Sequence, residues 1–388
     1  MGTHVVGSAV WATVAAFCLL THPALRVGPP DKKEDYWTYH VAVGAFSHDN
    51  KRAVVGYGGI NLEVFASVWD VAKGKQIAVL GGHKRPLKYC AFLPDNERVI
   101  TVGEDGTVVC HRLKDGGRAE TVYRLDAHVG GLWATDLSRN GKRLVTLGLE
   151  KRLEVDPKYQ VIVKVWDGEK GKLLKRWEVF EFPGVDLVVS PDGGRMMTAS
   201  FYYHGARQGW IRVWDTETGK LLREFDGDDG WERPIGFAND GKAVVVGNGP
   251  DKLPVVRDLC YFDGDLSKEK KRIKKAIVKT GPGLVRERVA GDGCSALVAD
   301  SERFVPIVRL TSWFWAPEKE SISRTLEINR AGSDRRGLGS VGLGFSPDGS
   351  LALVASGGNP GVDRLRVHVF ETVSGKVVRE WDDETRKR

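Results

Sequence analysis

The sequence predicts an all-β protein, a β-propeller of seven four-stranded antiparallel blades, and three observations carry that prediction. A tight-turn motif recurs seven times, as SHDN at 47, LPDN at 93, SRNG at 138, SPDG at 190, ANDG at 238, AGDG at 290 and SPDG at 346, in steps of 46, 45, 52, 48, 52 and 56 residues. Each turn leads into a short, continuously apolar run. Several units then continue into a segment ending in a bulky ring and an acid, with Gly-Lys soon after. Self-similarity at such a period marks a repeat architecture, in which one supersecondary unit is copied along the chain.

The fourth unit shows the elements most fully. Residues 187–200, LVVSPDGGRMMTAS, supply a strand, a turn and a second strand; residues 210–225, WIRVWDTETGKLLREF, supply a third strand, a Gly-Lys turn and a fourth. In the turns, Pro191 and Pro347 preset φ at the first central position, and Gly193 and Gly349 accept the left-handed conformation that closes a tight hairpin. Asp192 and Asp348 stand where a carboxylate bonds back to nearby backbone N–H groups.

The second strands read RAVVGY (52–57), RVITVG (98–103), RLVTLG (143–148), RMMTAS (195–200), KAVVVG (242–247), SALVAD (295–300) and LALVAS (351–356). They do not alternate apolar with polar, and a short continuous apolar run is a strand buried on both faces. Each sheet is therefore sandwiched between neighbouring sheets, as in a radial stack. The third strands end in Val68-Trp69-Asp70, Val165-Trp166-Asp167 and Val213-Trp214-Asp215, with looser forms at Tyr261-Phe262-Asp263 and Val369-Phe370-Glu371. A ring there fills the wedge between two sheets, and its burial is worth roughly 4 to 6 kcal/mol as an upper bound. These aromatic positions are core rather than ligand cages.

With these residues in view, the chain resembles the WD-repeat β-propeller family across residues 38–382. In that family a Gly-His pair begins a unit, and the His joins a buried network with a Ser/Thr of the second strand, an Asp of the following turn and the Trp. The second unit matches at His83, Thr101 and Asp105, with His111 where the Trp belongs, and Ala127-His128 is a partial second case. The other units lack the Asp, so the resemblance implies a network largely absent and blades held mainly by apolar packing. It also implies that the loops joining second to third strands share one face, the top, with those joining blade to blade. Four of the former are long: residues 149–160, 201–208, 248–254 and 357–363. The basic run SKEKKRIKK, 267–275, follows the third strand of unit five and reads as a solvated connection on the opposite face.

The chain's 388 residues, 41% apolar and 28% charged, suit a soluble protein with a large core. A net charge of +7 spread over that length is too diffuse to point to nucleic acid. Residues 1–30 form a leader and spacer, in which Val5–Leu20 is an apolar core of secretory type, too short for a comfortable membrane span. Export to the periplasm or exterior is the expected fate, with a membrane anchor through an uncleaved leader, or a cytoplasmic protein, as alternatives. Residues 383–388 are a charged tail. Of five cysteines, Cys90 and Cys110 fall on the first and third strands of one unit, about 9 to 10 Å apart, too far for a bridge. No Cys/His spacing suits zinc or haem.

Gly337-Leu338-Gly339-Ser340-Val341-Gly342 matches G-x-G-x-x-G, but it runs into a strand where a dinucleotide fingerprint must open a helix. Asp226-Gly227-Asp228-Asp229-Gly230 lacks the spacing and terminal Glu of a calcium loop. No catalytic, metal or cofactor motif is found, although propellers can assemble a site from several blades around the central channel. Trp313-Phe314-Trp315 reads as core filling. Tyr202, Tyr203 and Arg207, in the long loop of unit four, and Trp231 and Arg233, in the adjacent blade-to-blade loop, are the candidate partner-binding residues, because rings and Arg dominate binding hot spots. The function expected is a non-catalytic, monomeric interaction scaffold taking a protein or peptide on its top face. The alternative is a propeller enzyme or small-ligand binder with a site at the channel. No strand is left over to lend across the seam, so residues 36–40 lead into the first blade and packing alone closes the ring.

Overall fold

Apolar second strands flanked by turn-forming residues produce the expected meander in a computed structural model, which describes residues 43–57, 64–151, 159–179, 185–200, 210–226, 231–237, 243–248, 256–262, 269–278, 285–289, 295–301, 307–314, 322–329, 341–356, 365–372 and 374–383. The leader, residues 36–40 and the tail beyond 383 lie outside these. The first sheet comprises β1 (Val43–Phe46), β2 (Arg52–Tyr57), β3 (Phe65–Asp70) and β4 (Lys75–Leu80). The second has β5 (Leu87–Phe92), β6 (Arg98–Gly103), β7 (Thr107–Leu113) and β8 (Ala119–Asp126), and the third β9 (Leu132–Leu137), β10 (Arg143–Lys151), β11 (Tyr159–Asp167) and β12 (Leu173–Val179). The fourth has β13 (Val185–Val189), β14 (Arg195–Ser200), β15 (Trp210–Asp215) and β16 (Leu221–Asp226), and the fifth β17 (Trp231–Phe237), β18 (Ala243–Asn248), β19 (Val256–Phe262) and β20 (Glu269–Val278). The sixth has β21 (Val285–Val289), β22 (Ser295–Ser301), β23 (Ile307–Phe314) and β24 (Ile322–Asn329), and the seventh β25 (Val341–Phe345), β26 (Leu351–Ser356), β27 (Leu365–Glu371) and β28 (Val377–Asp383).

Every sheet is antiparallel and uses four consecutive strands. The first strands touch in cyclic order, each against the next and β25 back against β1, so they ring a central channel. Turn chemistry sets the first hairpin of each described unit. Asn50, Asn96, Gly141, Gly193 and Gly349, all at the fourth turn position, have φ between 60° and 78°. The Asp before that position accepts from the backbone, as Asp192 does from Gly194 N–H at 2.9 Å and Asp348 from Ser350 N–H at 3.0 Å.

The central apolar residues of β2, β6, β10, β14 and β26 are buried, and the wedge rings are core: Trp69, Trp166, Trp214 and Phe370 are all buried. Trp166 packs among Leu93, Ile100 and Val102 of the preceding sheet, and Trp214 among Val145 and Leu147. Trp313 pairs with Ala296 at the same ladder position that Trp214 takes opposite Met196. Outer-strand rings make a second contact between sheets. Tyr123 lies over Gly171 of the next Gly-Lys turn, and Trp177 over Gly219. A Cβ on Gly171 would sit 2.7 Å from the Tyr123 ring, and the residue's φ is +69°, so glycine is required on both counts.

The buried polar network is more extensive than the resemblance implies. In the second sheet His83 Nε2 lies 2.8 Å from Thr101 Oγ1 and Nδ1 2.9 Å from Thr107 Oγ1, which donates to Asp105 at 2.6 Å; His111 Nε2 lies 3.3 Å from Thr101. The Thr–Trp half also recurs where the Asp is missing. Trp166 Nε1 donates to Thr146 Oγ1 and Trp214 Nε1 to Thr198 Oγ1, both at 3.0 Å, and His128 Nε2 sits 3.0 Å from Thr146. Glu150, four residues after Thr146 as Asp105 is after Thr101, pairs instead with Lys164 and Arg176.

Three further expectations are corrected. Residues 149–151 and 159–160 belong to β10 and β11, and Asn248 to β18, so those connections are shorter than the sequence suggests. Trp231 and Arg233 lie on β17, not in a loop. The basic run lies mostly on β20, the outer strand of the fifth sheet, where backbone pairing with β19 makes it a strand rather than the solvated connection expected. Cys90 and Cys110 are buried thiols not joined in a disulfide, with β6 between them. Gly342 lies in β25, so the glycine motif ends in a strand.

Candidate functional site

The first strands carry charges that a sealed apolar core would not need: Lys88 on β5, Asp136 on β9, Asp186 on β13, Glu232 and Arg233 on β17, and Arg286, Glu287 and Arg288 on β21. Three of these strands bulge at one level. The extra residue is Lys88 opposite Gly103 and Val102, Trp133 opposite Gly148 and Leu147, and Glu232 opposite Gly247 and Val246. A bulge re-aims side chains and recurs beside functional sites. Asp186 and Arg286 take the corresponding rung in the fourth and sixth sheets, opposite Ala199 and Ala299. The three bulges and these two rungs thus share one level, near the end where the first strands begin, and there Trp133 packs against the apolar core between the third and fourth sheets.

Lower down, Asp136 is occupied by the fold. Its carboxylate accepts from Tyr89 Oη at 3.1 Å and from Val189 N–H at 2.7 Å, tying three adjacent first strands together. Burial, and then the Asp136 charge, push the Tyr89 hydroxyl well above its ordinary value, so it stays a neutral donor.

The opposite end of the channel is crossed by side chains. Arg139, in the third unit's hairpin turn, donates to the Pro347 carbonyl of the seventh, and His48 Nε2 of the first donates to the Arg139 carbonyl at 3.1 Å. The third and seventh sheets are not neighbours in the ring, so the guanidinium spans the mouth. Asn50 Nδ2 donates to Asp348 at 2.8 Å, and Arg52 to the Asn96 carbonyl at 2.7 Å, linking adjacent turns around the rim. Burial lowers the His48 pKa, consistent with a neutral ring that donates from Nε2 alone.

Of the residues expected to bind a partner, Tyr202, Tyr203 and Arg207 lie outside the described residues. Trp231 and Arg233 stand on β17 opposite Gly247 and Val246, at the level of the bulged row. The neighbouring strand ends, Ser200 of β14 paired with Val185 of β13, mark where the 201–209 connection leaves the fourth sheet, beside β17. Sequence reasoning missed Lys88, Trp133 and Asp186. The available signal was a charge or large ring inside an otherwise apolar first strand, as in LKYCAF, LWATDL and VDLVV. Among the described residues no group of three or more His, Cys, Asp or Glu could hold a metal ion, and no helix is long and apolar enough to cross a membrane.

Comparison with known proteins fits this geometry. Residues 74–111 match the family model described as "WD domain, G-beta repeat". The match runs from the outer strand of the first sheet through three strands of the second, and so contains His83, Thr101, Asp105 and His111. No curated protein matches the chain. Among solved structures, the crystal structure of Chaetomium thermophilum Raptor is similar, with a TM-score of 0.62 and 13% identity over 88% of this chain and 29% of that one. This chain thus spans less than a third of the length of that relative, and a likeness at such identity is one of fold. The chain has a β-propeller fold, and its repeat at residues 74–111 keeps the sequence pattern of the WD-repeat family.

Proposed function

We propose that this propeller is a non-catalytic interaction scaffold whose top face takes a protein or peptide partner. The observation that carries the reading is the asymmetry of its two ends. One is tied across by Arg139 and His48; at the other, three first strands bulge at one level, at Lys88, Trp133 and Glu232, and bulges recur beside functional sites. WD40 propellers in general mediate protein–protein contacts, which supports the class of function and no particular partner. Tyr202, Tyr203, Arg207, Trp231 and Arg233 are the proposed anchors of the contact. The scaffold acts as a monomer, exported from the cytoplasm on the strength of the Val5–Leu20 leader, a point that the N-terminal mass of the protein recovered from cells decides.

The test is affinity capture from the native cell envelope, with mass spectrometry, for the wild-type chain and for Tyr203→Ala combined with Trp231→Ala. Capture of a reproducible partner, weakened at least about tenfold by the double variant (some 1.4 kcal/mol), is the expected result. Equal capture by both chains sinks the assignment of these anchors. Because Trp231 is on a strand, the melting temperature of each single variant must be followed, and Tyr203→Ala alone should leave it nearly unchanged.

The charged residues carried by the first strands also favour a second reading, a small polar ligand bound centrally. Asp186→Asn would then abolish ligand binding, whereas the Tyr203→Ala change would not.

A further inference from the structure

The outer strands of the third, fourth and seventh sheets begin alike. After its Gly-Lys turn each carries two apolar residues bracketed by cations: Lys172-Leu173-Leu174-Lys175, Lys220-Leu221-Leu222-Arg223 and Lys376-Val377-Val378-Arg379. All six apolar side chains are exposed, from 39% for Leu221 to 44% for Leu222. Pairing explains how. The ladder slips by one residue at the level of the wedge ring, with Leu173 opposite Trp166, Leu221 opposite Trp214 and Val377 opposite Phe370, so that Leu174, Leu222 and Val378 are extra residues. An extra residue leaves the ladder and its side chain is re-aimed. A bulge with flanking charges is enough to blunt an exposed edge, and a polar residue at the bulge serves that purpose as well as an apolar one. Edge protection therefore does not account for leucine both at the bulge and beside it in two adjacent sheets.

Cations gather at the same level. Residues 169–176, EKGKLLKR, hold four against one carboxylate, and residues 217–223, ETGKLLR, hold two against one, a net of +3 and +1. Lys172, Arg176, Lys220 and Arg223 are exposed and Lys175 is half-buried. Arg176 also reaches Glu150, and Glu224, next after Arg223, is held by Arg212. The third and fourth sheets are neighbours, and Trp177 joins their rims, its ring lying over Gly219 in the turn just before Leu221. First strands begin at the top face and the strands alternate in direction, so each outer strand begins at the opposite end. The lower rim of these two sheets is thus leucine interleaved with lysine and arginine.

We infer that the lower rim of the third and fourth sheets rests on an anionic lipid surface. Leu173, Leu174, Leu221 and Leu222 enter the headgroup layer, and the stems of the bracketing Lys and Arg residues lie along them and carry their charges to lipid phosphates. Charge alone would suit any polyanion, but a polyanion leaves the four leucines in water. A folded protein partner needs a recess to seat its own side chains, whereas these project from the outer edge of a ring, which a deformable bilayer meets without one. The contact leaves the top face clear of the bilayer. It stands apart from the top-face anchors, so either can fail alone.

The test is flotation of the full chain with vesicles of phosphatidylcholine containing roughly one part in four of phosphatidylglycerol, and with vesicles of phosphatidylcholine alone. Two variants accompany it, one with Leu173→Ser, Leu174→Ser, Leu221→Ser and Leu222→Ser, the other with Lys172→Gln, Lys175→Gln and Lys220→Gln. Hydrogen exchange of the wild-type chain is followed with the anionic vesicles and with soluble polyglutamate. The expected result is saturable binding to anionic vesicles, at least about tenfold weaker for the neutral vesicles and for each variant, with exchange slowed in β12 and β16 by vesicles and not by polyglutamate. The inference is overturned if the anionic vesicles do not bind the chain, or if the serine variant binds as tightly, since the leader or surface charge would then be responsible. It is also overturned if vesicles leave exchange in β12 and β16 unchanged, or if polyglutamate slows it equally, which would assign the rim to an acidic protein. The exchange arms use the wild-type chain, so they decide the matter even where a variant fails to fold.

Discussion

Trp381 of the last strand lies with its ring centroid 5.4 Å from that of Trp69 in the first sheet, the planes inclined at 33°. The two rings share one core cluster with Val55 and Val71 of the first sheet and Leu353, Val367 and Val369 of the seventh. Trp381 also stands over Gly74, as Tyr123 stands over Gly171 and Trp177 over Gly219. Arg379 adds a hydrogen bond of 2.9 Å to the Ala72 carbonyl. The seam thus repeats the contact found between internal blades.

Trp381→Ala should therefore cost about 3 to 5 kcal/mol in urea unfolding, the range for emptying a large buried aromatic site. Trp214→Ala, at an internal wedge, should cost the same. A loss at the seam below about 1 kcal/mol would show that the ring closes by other means.

Trp69 has the position of Trp166 and Trp214 but not their partner. Its Nε1 is buried with no hydrogen bond, because Val55 occupies the place that Thr146 and Thr198 take in the third and fourth sheets. Val55→Thr adds a hydroxyl of nearly the same shape within reach of that N–H. The variant should gain up to about 1 kcal/mol in urea unfolding, and a loss would mean the hydroxyl finds no acceptor for its own proton.

Acid should loosen the fold before its turn carboxylates titrate. Burial, and then the charge of His83, lower the His111 pKa to about 4; burial, and then Lys164, lower that of His128 to about 4. Both lie below the ordinary value of 6.5, so each His contributes stability that is present above pH 6.5 and is lost as pH falls from there toward 4. Each is worth on the order of 3 kcal/mol over that interval. Urea midpoints from pH 7 to 4.5 should fall for the wild type and fall less steeply for His111→Gln with His128→Gln. Asp348, whose pKa is held to about 2 by bonds from Ser346, Ser350 and Asn50 that outweigh its burial, adds its loss only at lower pH.

Removing the guanidinium that crosses the channel should be felt across the ring. Arg139→Ala leaves the Pro347 carbonyl without its donor and should cost about 1 to 3 kcal/mol, the cost of losing one partner of a charged hydrogen bond. Hydrogen exchange should quicken in the first strands of the third and seventh sheets together. Exchange confined to the third sheet would count against a span across the mouth.

Much of the blade was legible in the sequence because its causes are local. A left-handed fourth turn residue, a second strand apolar on both faces, and a ring two residues before the next turn each follow from backbone sterics and burial within some thirty residues. The unit, its repetition and the residues that fill the wedges can therefore be read from the residues alone. Tertiary structure decided the rest. Whether Trp231 and Arg233 lie in a loop or on a strand depends on pairing with β18, and the KKRIKK run became an edge strand because β19 offered it a ladder. The row of Lys88, Trp133 and Glu232 exists only because three strands bulge at one level, and the Arg139–Pro347 contact joins residues 208 apart in sequence. Such relationships belong to the closed ring, which brings distant turns to one axis; a linear reading holds each turn and none of the distances between them.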